Sequence, residues 1–245
     1  MVFFLANFHI KYTYMFTYII RYIFYMKFMC NSPAIGITDG LSIGYQSRLA
    51  VAVGDIELGC GTHYLLARNG RGKTTLLRTL AGVIKPIIGG FACDGRCQLL
   101  SEDLTFDREL TAKVVFKSLL NKKGYIEAMT LAEQLELDTA KTYGKLSTGN
   151  KRKVALLVAE FSTNDGRPDI LLLDEPFTGL DSFAREIFQE LWGKRQEGVL
   201  RLVSCHPDFD SMEMNSSVLI SGGEIIHLHA EDAPKRWGDL KSQLN

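Results

Sequence analysis

A chain of 245 residues with 46% hydrophobic composition has enough apolar surface for a full core and reads as one globular domain with room for an appendage. Lys+Arg and Asp+Glu both total 28, so the net charge is zero and no overall basic field marks a nucleic-acid binder; no nucleic-acid partner is expected. The five cysteines (Cys30, Cys60, Cys93, Cys97, Cys205) are odd in number and scattered, which argues against a disulfide framework, and Cys93 and Cys97 have no second pair at the spacing of a zinc finger.

Residues 1–33 differ in texture from the rest. The first thirty hold eleven of the chain's twenty-three Phe and Tyr residues, and the first acidic residue is Asp39. His9, Lys11, Arg21 and Lys27 interrupt the ~20-residue apolar run that a bilayer span needs. No small-residue cleavage site follows an apolar core, as a secretory signal would require. Three readings stay open: an interfacial aromatic helix, an element packed on the domain, or a translated upstream region with the true start at Met26 or Met29.

Beyond Asn31 the chain alternates β-rich runs (LAVAVGDIEL, THYLLA, DILLLD, LRLVSC) with helical patterns (KTTLLRTLAGV, KRKVALLVAEF, SFAREIFQELWGKR). Apolar runs bounded by turn residues suit strands buried on both faces. The expected class is therefore α/β, a largely parallel sheet wrapped by helices.

The first strand-to-helix turn of this kind is ARNGRGKTT. Gly72-Lys73-Thr74 match the phosphate-loop pattern, while Ala67 stands where its first glycine is expected. Glycine is costly in a packed element, so Gly70 and Gly72 imply close approach of something to the backbone. Successive N–H groups and a helix N-terminus form an anion nest. Lys73 would reach the β- and γ-phosphates of a nucleoside triphosphate, and the Thr74 hydroxyl would bind Mg²⁺. Ala67 is tolerable if its φ stays negative.

Farther along, LSTGN (146–150) precedes a basic helix, ILLLDE (170–175) ends a strand in two carboxylates, PFTGLD runs to Asp181, and VSCH ends at His206. In a strand, alternate side chains point to opposite faces, so Asp174 and Glu175 diverge. One is placed to meet a metal and the other an attacking water.

Taken in this order, the motifs resemble those of the ATP-binding subunits of ABC transporters over residues ~34 to ~228. Phrases such as NGRGKTTLLRTLAGV and LSTGNKRKV are similar to small exporter-type ATPases, including the haem-exporter subunit of cytochrome c maturation. The resemblance implies a P-loop NTPase domain over 34–245, with a parallel-sheet ATP-binding core, an antiparallel β edge and an inserted α-helical subdomain at about 100–165. It implies ATP and Mg²⁺ as ligands, and Lys73, Glu175 and His206 as the catalytic set. The nucleotide would be held by Tyr45, Asn69, Gly70, Arg71, Gly72, Lys73, Thr74 and Thr75, and the metal by Thr74, Asp174 and Glu102.

Glu102 stands where the family has a glutamine, with Gln98 four residues earlier; an ordinary surface-loop acid is the alternative. Tyr45 stands where the family stacks an aromatic on adenine, the alternative being a core or sheet-edge tyrosine. Ser147 and Gly149 would contact the γ-phosphate held by a second subunit in a head-to-tail dimer, with Asp181 in the loop that follows. Thr148 and Asn150 depart from the family's usual glycine and glutamine. The implied activity is ATP hydrolysis driving transport. It would be coupled to a separate transmembrane permease subunit, in a homodimer or a heterodimer, peripheral on the cytoplasmic side of the membrane. The competing reading is a soluble ABC ATPase or a nucleotide-gated regulator uncoupled from transport.

Overall fold

A computed structural model describes residues 34–162, 169–205 and 214–229. The N-terminal extension lies outside the described residues. The main sheet has eight strands in the order β2 (Ser42–Gly44), β3 (Arg48–Ala52), β11 (Glu224–His229), β10 (Ser216–Ser221), β5 (Gly61–Ala67), β9 (Val199–Cys205), β8 (Asp169–Leu173), β7 (Arg96–Leu100). The block from β10 to β7 is parallel throughout, whereas β2 with β3 and β10 with β11 pair antiparallel. A separate antiparallel sheet sets β1 (Ala34–Ile37) between β4 (Ile56–Leu58) and β6 (Phe91–Asp94). The expected antiparallel edge is thus present, and much of the antiparallel structure forms a sheet of its own.

The central parallel strands carry apolar residues on both faces because both faces are covered. Leu171 and Leu173 of β8, Val203 of β9 and Leu66 of β5 face one core. Ile170 and Leu172, Leu200 and Leu202, and Leu65 and Ala67 face the other. The first core is closed by α2 (Ala112–Leu119), α3 (Lys122–Gln134), α4 (Thr148–Phe161) and α5 (Ser182–Lys194), through Phe116, Leu131, Leu157 and Phe188. The second is closed by Leu76, Leu77 and Leu80 of α1 (Lys73–Leu80) and by Ile35, Ile37, Ile56 and Leu58 of the small sheet.

The helix-prone stretch after residue 110 divides in two, because Asn121 is extended and its side chain accepts the Gly124 N–H at 2.8 Å, starting α3 afresh. Thr111 caps α2 in the same manner through the Val114 N–H. The last turn of α4 is anchored by a buried ion pair. The Arg201 Nε–H of β9 donates to Glu160 Oε2 at 3.1 Å, a second guanidinium N–H meets Oε1, and the Trp192 indole N–H of α5 completes the set at 3.2 Å.

Candidate functional site

The C-terminal ends of β5, β7, β8 and β9 deliver the sequence motifs to one rim of the sheet, where open α/β sheets place their ligands. An open cleft of about 680 Å³ lies there, lined among others by Asn69, Gly70, Gly72, Lys73, Thr74 and Thr75. Arg68, Glu102, Glu175, Thr178 and Arg185 complete its polar wall. Gly70 (φ 75°) and Gly72 (φ 112°) take left-handed backbone, which the turn into α1 requires. Among described non-glycine residues only Glu136 and Glu175 have positive φ, so Ala67 keeps ordinary backbone and its methyl group causes no strain.

Lys73 is buried, and its ammonium donates to the Ala67 carbonyl (3.2 Å) and to Asn69 Oδ1 (3.4 Å). It lies 3.5 Å from Glu175 Oε1. An anion entering the loop therefore meets a positioned cation. Glu175 itself sits at φ 46°, a conformation that persists in a non-glycine residue only when its surroundings over-determine it. Its N–H donates to Ser204 Oγ at 2.7 Å, and the Ser204 hydroxyl donates in turn to Asp174 Oδ1 at 3.0 Å. The Thr178 hydroxyl donates to Glu175 Oε2 at 3.2 Å. Asp174 is buried and Glu175 partly open, but both lie just past the end of β8 and Glu175 is left-handed, so the turn rather than the alternation of a strand sets the two carboxylates apart.

Arg152, in the second turn of α4, was not singled out by sequence reasoning. Its guanidinium donates to the carbonyls of Ser101 (3.1 Å), Glu175 (2.8 Å), Pro176 (3.2 Å) and Asp174. Charge-assisted hydrogen bonds of this kind are worth about 1.5–3 kcal/mol each. Burial pushes the guanidinium pKa down, and the nearby Glu102, Asp174 and Glu175 charges pull it back up. A signal was available in the run Lys151-Arg152-Lys153, since three cations crowd the helix end where the macrodipole disfavours positive charge. Buried cations at that end need acceptors from elsewhere.

The Ser147 side chain caps α4 by accepting the Asn150 N–H at 3.2 Å. A Cβ on Gly149 would lie 2.6 Å from the Gly179 carbonyl oxygen, so only glycine fits there. Asp181 caps α5, accepting the Ala184 N–H at 2.7 Å, and lies 3.6 Å from Lys153 Nζ. That backbone N–H is the main reason its carboxyl is held below the usual range. Ser147 and Gly149 do not line this cleft, and neither does Arg71. Of the two glutamine-loop candidates, Glu102 opens on the cleft, whereas Gln98 lies in β7 and accepts the Ser162 hydroxyl at 2.9 Å. Tyr45 is exposed, with its hydroxyl accepting from Arg78 at 3.3 Å, and is not among the cleft-lining residues. His206 lies outside the described residues.

The site fits a magnesium nucleotide. Mg²⁺ keeps several waters and takes one or two protein oxygens plus phosphate oxygens, so a hydroxyl on the cleft wall (Thr74) and one buried carboxylate (Asp174) would be a sufficient donor set without a protein cage. Among the described residues no group of three or more His, Cys, Asp or Glu could hold a metal ion. Cys93 and Cys97 instead turn toward the Leu80 carbonyl, at 3.5 and 4.0 Å.

Comparison with known proteins agrees with this geometry. The family profile described as ABC transporter matches residues 54–178. An ABC transporter ATP-binding protein of Geobacter sulfurreducens is 31% identical over 228 residues, covering 82% of this chain and 77% of the relative. YbhF of Escherichia coli, named for multidrug ABC transport, is 32% identical over 187 residues, 66% of this chain, but this match spans only 31% of YbhF. Neither name carries the narrower likeness to a haem exporter. Among solved structures, an ATP-binding protein of an ABC transporter from Pyrococcus furiosus superposes with a TM-score of 0.62 at 22% identity, covering 76% of this chain and 97% of the other. The fold is that of the ABC ATPases, and the chain belongs to the ABC transporter family as one of its ATP-hydrolysing, ATP-binding domains.

Proposed function

We propose that this chain binds and hydrolyses ATP to drive a separate membrane-spanning permease, pairing head to tail with a second ATP-binding subunit on the cytoplasmic side of the membrane. The observation that carries this reading is the 3.5 Å approach of Lys73 Nζ to Glu175 Oε1 across a glycine-rich loop. One group grips phosphate and the other orients water, and phosphoryl transfer asks mainly for positioning and charge stabilisation.

In this reading the N–H groups of 69–75 and the Lys73 ammonium hold the phosphates. Thr74 and Asp174 would hold Mg²⁺, which when bound would supply positive charge to the phosphate oxygens. Glu175 polarises water, His206 completes the catalytic set, and Glu102 replaces the family's glutamine at the metal side. Tyr45 stacks on the base after swinging from Arg78. Ser147 and Gly149 meet the γ-phosphate of the opposing subunit, and Asp181 lies at the same junction. The exposure of Ser147 at the head of α4 and its absence from the chain's own cleft support that assignment. The helical subdomain at about 100–165 is the face for the permease. Within the described residues no helix is long and apolar enough to cross a membrane.

The test is ATP hydrolysis by purified protein beside Glu175→Gln, with assembly followed by light scattering. We expect wild-type turnover, and in the variant ATP binding with at least a hundredfold slower turnover and an ATP-dependent dimer. Normal turnover in Glu175→Gln would remove that residue from the mechanism. Binding without hydrolysis by either protein would favour a nucleotide-gated regulator, consistent with the departures at Glu102, Thr148 and Asn150.

A further inference from the structure

We propose that Arg152 is a positioning residue for ATP hydrolysis: its guanidinium, held among four main-chain carbonyls, fixes the Glu175 peptide and ties it to the helix that begins at Ser147. The inference rests on the reading of Glu175 as the water-orienting carboxylate.

The four acceptors come from two loops. Ser101 follows β7 and precedes Glu102, while Asp174, Glu175 and Pro176 follow β8. The donor comes from a third segment, α4. A guanidinium is planar and presents its N–H groups in a fixed fork, so it can meet several carbonyls in one arrangement. Among the described residues no carboxylate pairs with Arg152 directly, and its hydrogen bonds are all to main-chain oxygens. Such a group sets backbone directions.

The backbone it sets is the unusual one. At Glu175, φ is 46°, with the N–H held by Ser204 and the C=O held by Arg152 at 2.8 Å and by the Thr178 N–H at 3.2 Å. Fixing both ends of a residue fixes the direction in which its side chain leaves. That direction brings Oε1 to Lys73 and Oε2 to Thr178. Without the guanidinium, the Glu175 carbonyl keeps only the longer hydrogen bond from the Thr178 N–H (3.2 Å), and the left-handed conformation loses its charge-assisted restraint. Lysine keeps the charge but not the fork, so Arg152→Lys separates geometry from electrostatics. Because Arg152 lies in the same helix as Ser147 and Gly149, movement of that helix against the sheet would reach Glu175 through this one group.

The test is steady-state and single-turnover hydrolysis by Arg152→Lys and Arg152→Gln, alone and combined with Glu175→Gln. Acting through Glu175, Arg152→Lys should lower kcat at least tenfold while KM and the Kd for ATP stay within threefold. Added to Glu175→Gln it should cost nothing further, since residues acting as a unit are non-additive. Turnover of Arg152→Lys within twofold of wild type overturns the inference, as does a loss that multiplies in full with that of Glu175→Gln. A Glu175→Gln protein that hydrolyses normally removes the Glu175 reading and this inference with it. An inactive Glu175→Gln beside a wild-type-like Arg152→Lys removes this inference alone. If circular dichroism shows that neither Arg152 variant folds, nitrogen-15 NMR of the wild-type protein decides. The Arg152 Nε–H should exchange slowly and shift on ATP binding, and exchange as fast as at exposed arginines overturns the proposal.

Discussion

The two ends of helix α4 each hold a buried arginine, and the two are used in opposite ways. At the last turn Arg201 meets the carboxylate of Glu160, with Trp192 and the Arg195 carbonyl filling the remaining positions. Charge is cancelled where it stands, and the cluster locks α4 and α5 onto β9. Near the first turn Arg152 is nearly as buried but meets only carbonyls, and Glu102, Asp174 and Glu175 act on it through space. Its charge is not cancelled by contact and is offset only through space, by acids that do not touch it. A neutralised buried cation is a brace, whereas one solvated by main chain sets the shape of the loops that surround it.

The contrast makes separate demands on stability and on binding. The largest effect is expected from Glu160→Ala, which leaves Arg201 buried and uncompensated and should cost about 3–5 kcal/mol in urea unfolding. ATP affinity of the folded fraction should stay within twofold of wild type; a large affinity loss would show that the brace is part of the site. At the other end Lys73→Ala should weaken ATP binding about a hundredfold or more, roughly 2.7 kcal/mol by calorimetric titration, with little change in the urea midpoint. Unchanged affinity would remove Lys73 from the phosphate grip.

Smallest is Asp181→Ala, which deletes the cap of α5 and should cost about 1 kcal/mol at neutral pH. Because the folded-state pKa of Asp181 is depressed, its contribution is full above the ordinary aspartate value near 3.9 and fades as pH falls through the folded-state value. The stability gap between wild type and variant should therefore narrow only in acid. A gap that narrows instead between pH 6 and 8 would point to another titrating group.

Much of this was legible in the sequence because the signals are local. The phosphate loop is one strand, one turn and one helix in nineteen consecutive residues (65–83), and the carboxylate pair directly follows the apolar run 170–173. Burial of β8 on both faces follows from its unbroken run of apolar residues. Arg152 and Ser204 were not legible, because their partners lie 22–51 and 29–30 residues away and arise only when the sheet forms. The choice between Gln98 and Glu102 needed strand register: Gln98 pairs with Leu171 inside the sheet, which leaves Glu102 beyond the strand end. Tyr45 matched the family by position alone, and its exposed place beside Arg78 reflects a hydrogen bond that no periodicity encodes.

Strand order has a consequence for how the molecule tolerates change. Lys73 follows β5 and Glu175 follows β8, with β9 as the only strand between them. Neighbouring strands lie about 4.8 Å apart, so the two chain segments leave the sheet roughly 10 Å from one another. That gap is counted in whole strands and held by ladders of main-chain hydrogen bonds that no substitution other than proline removes. Loops above the rim can lengthen, shorten or change charge while the gauge beneath them stays the same. Drift in such a protein should accumulate at the tips of the site and leave its span unaltered.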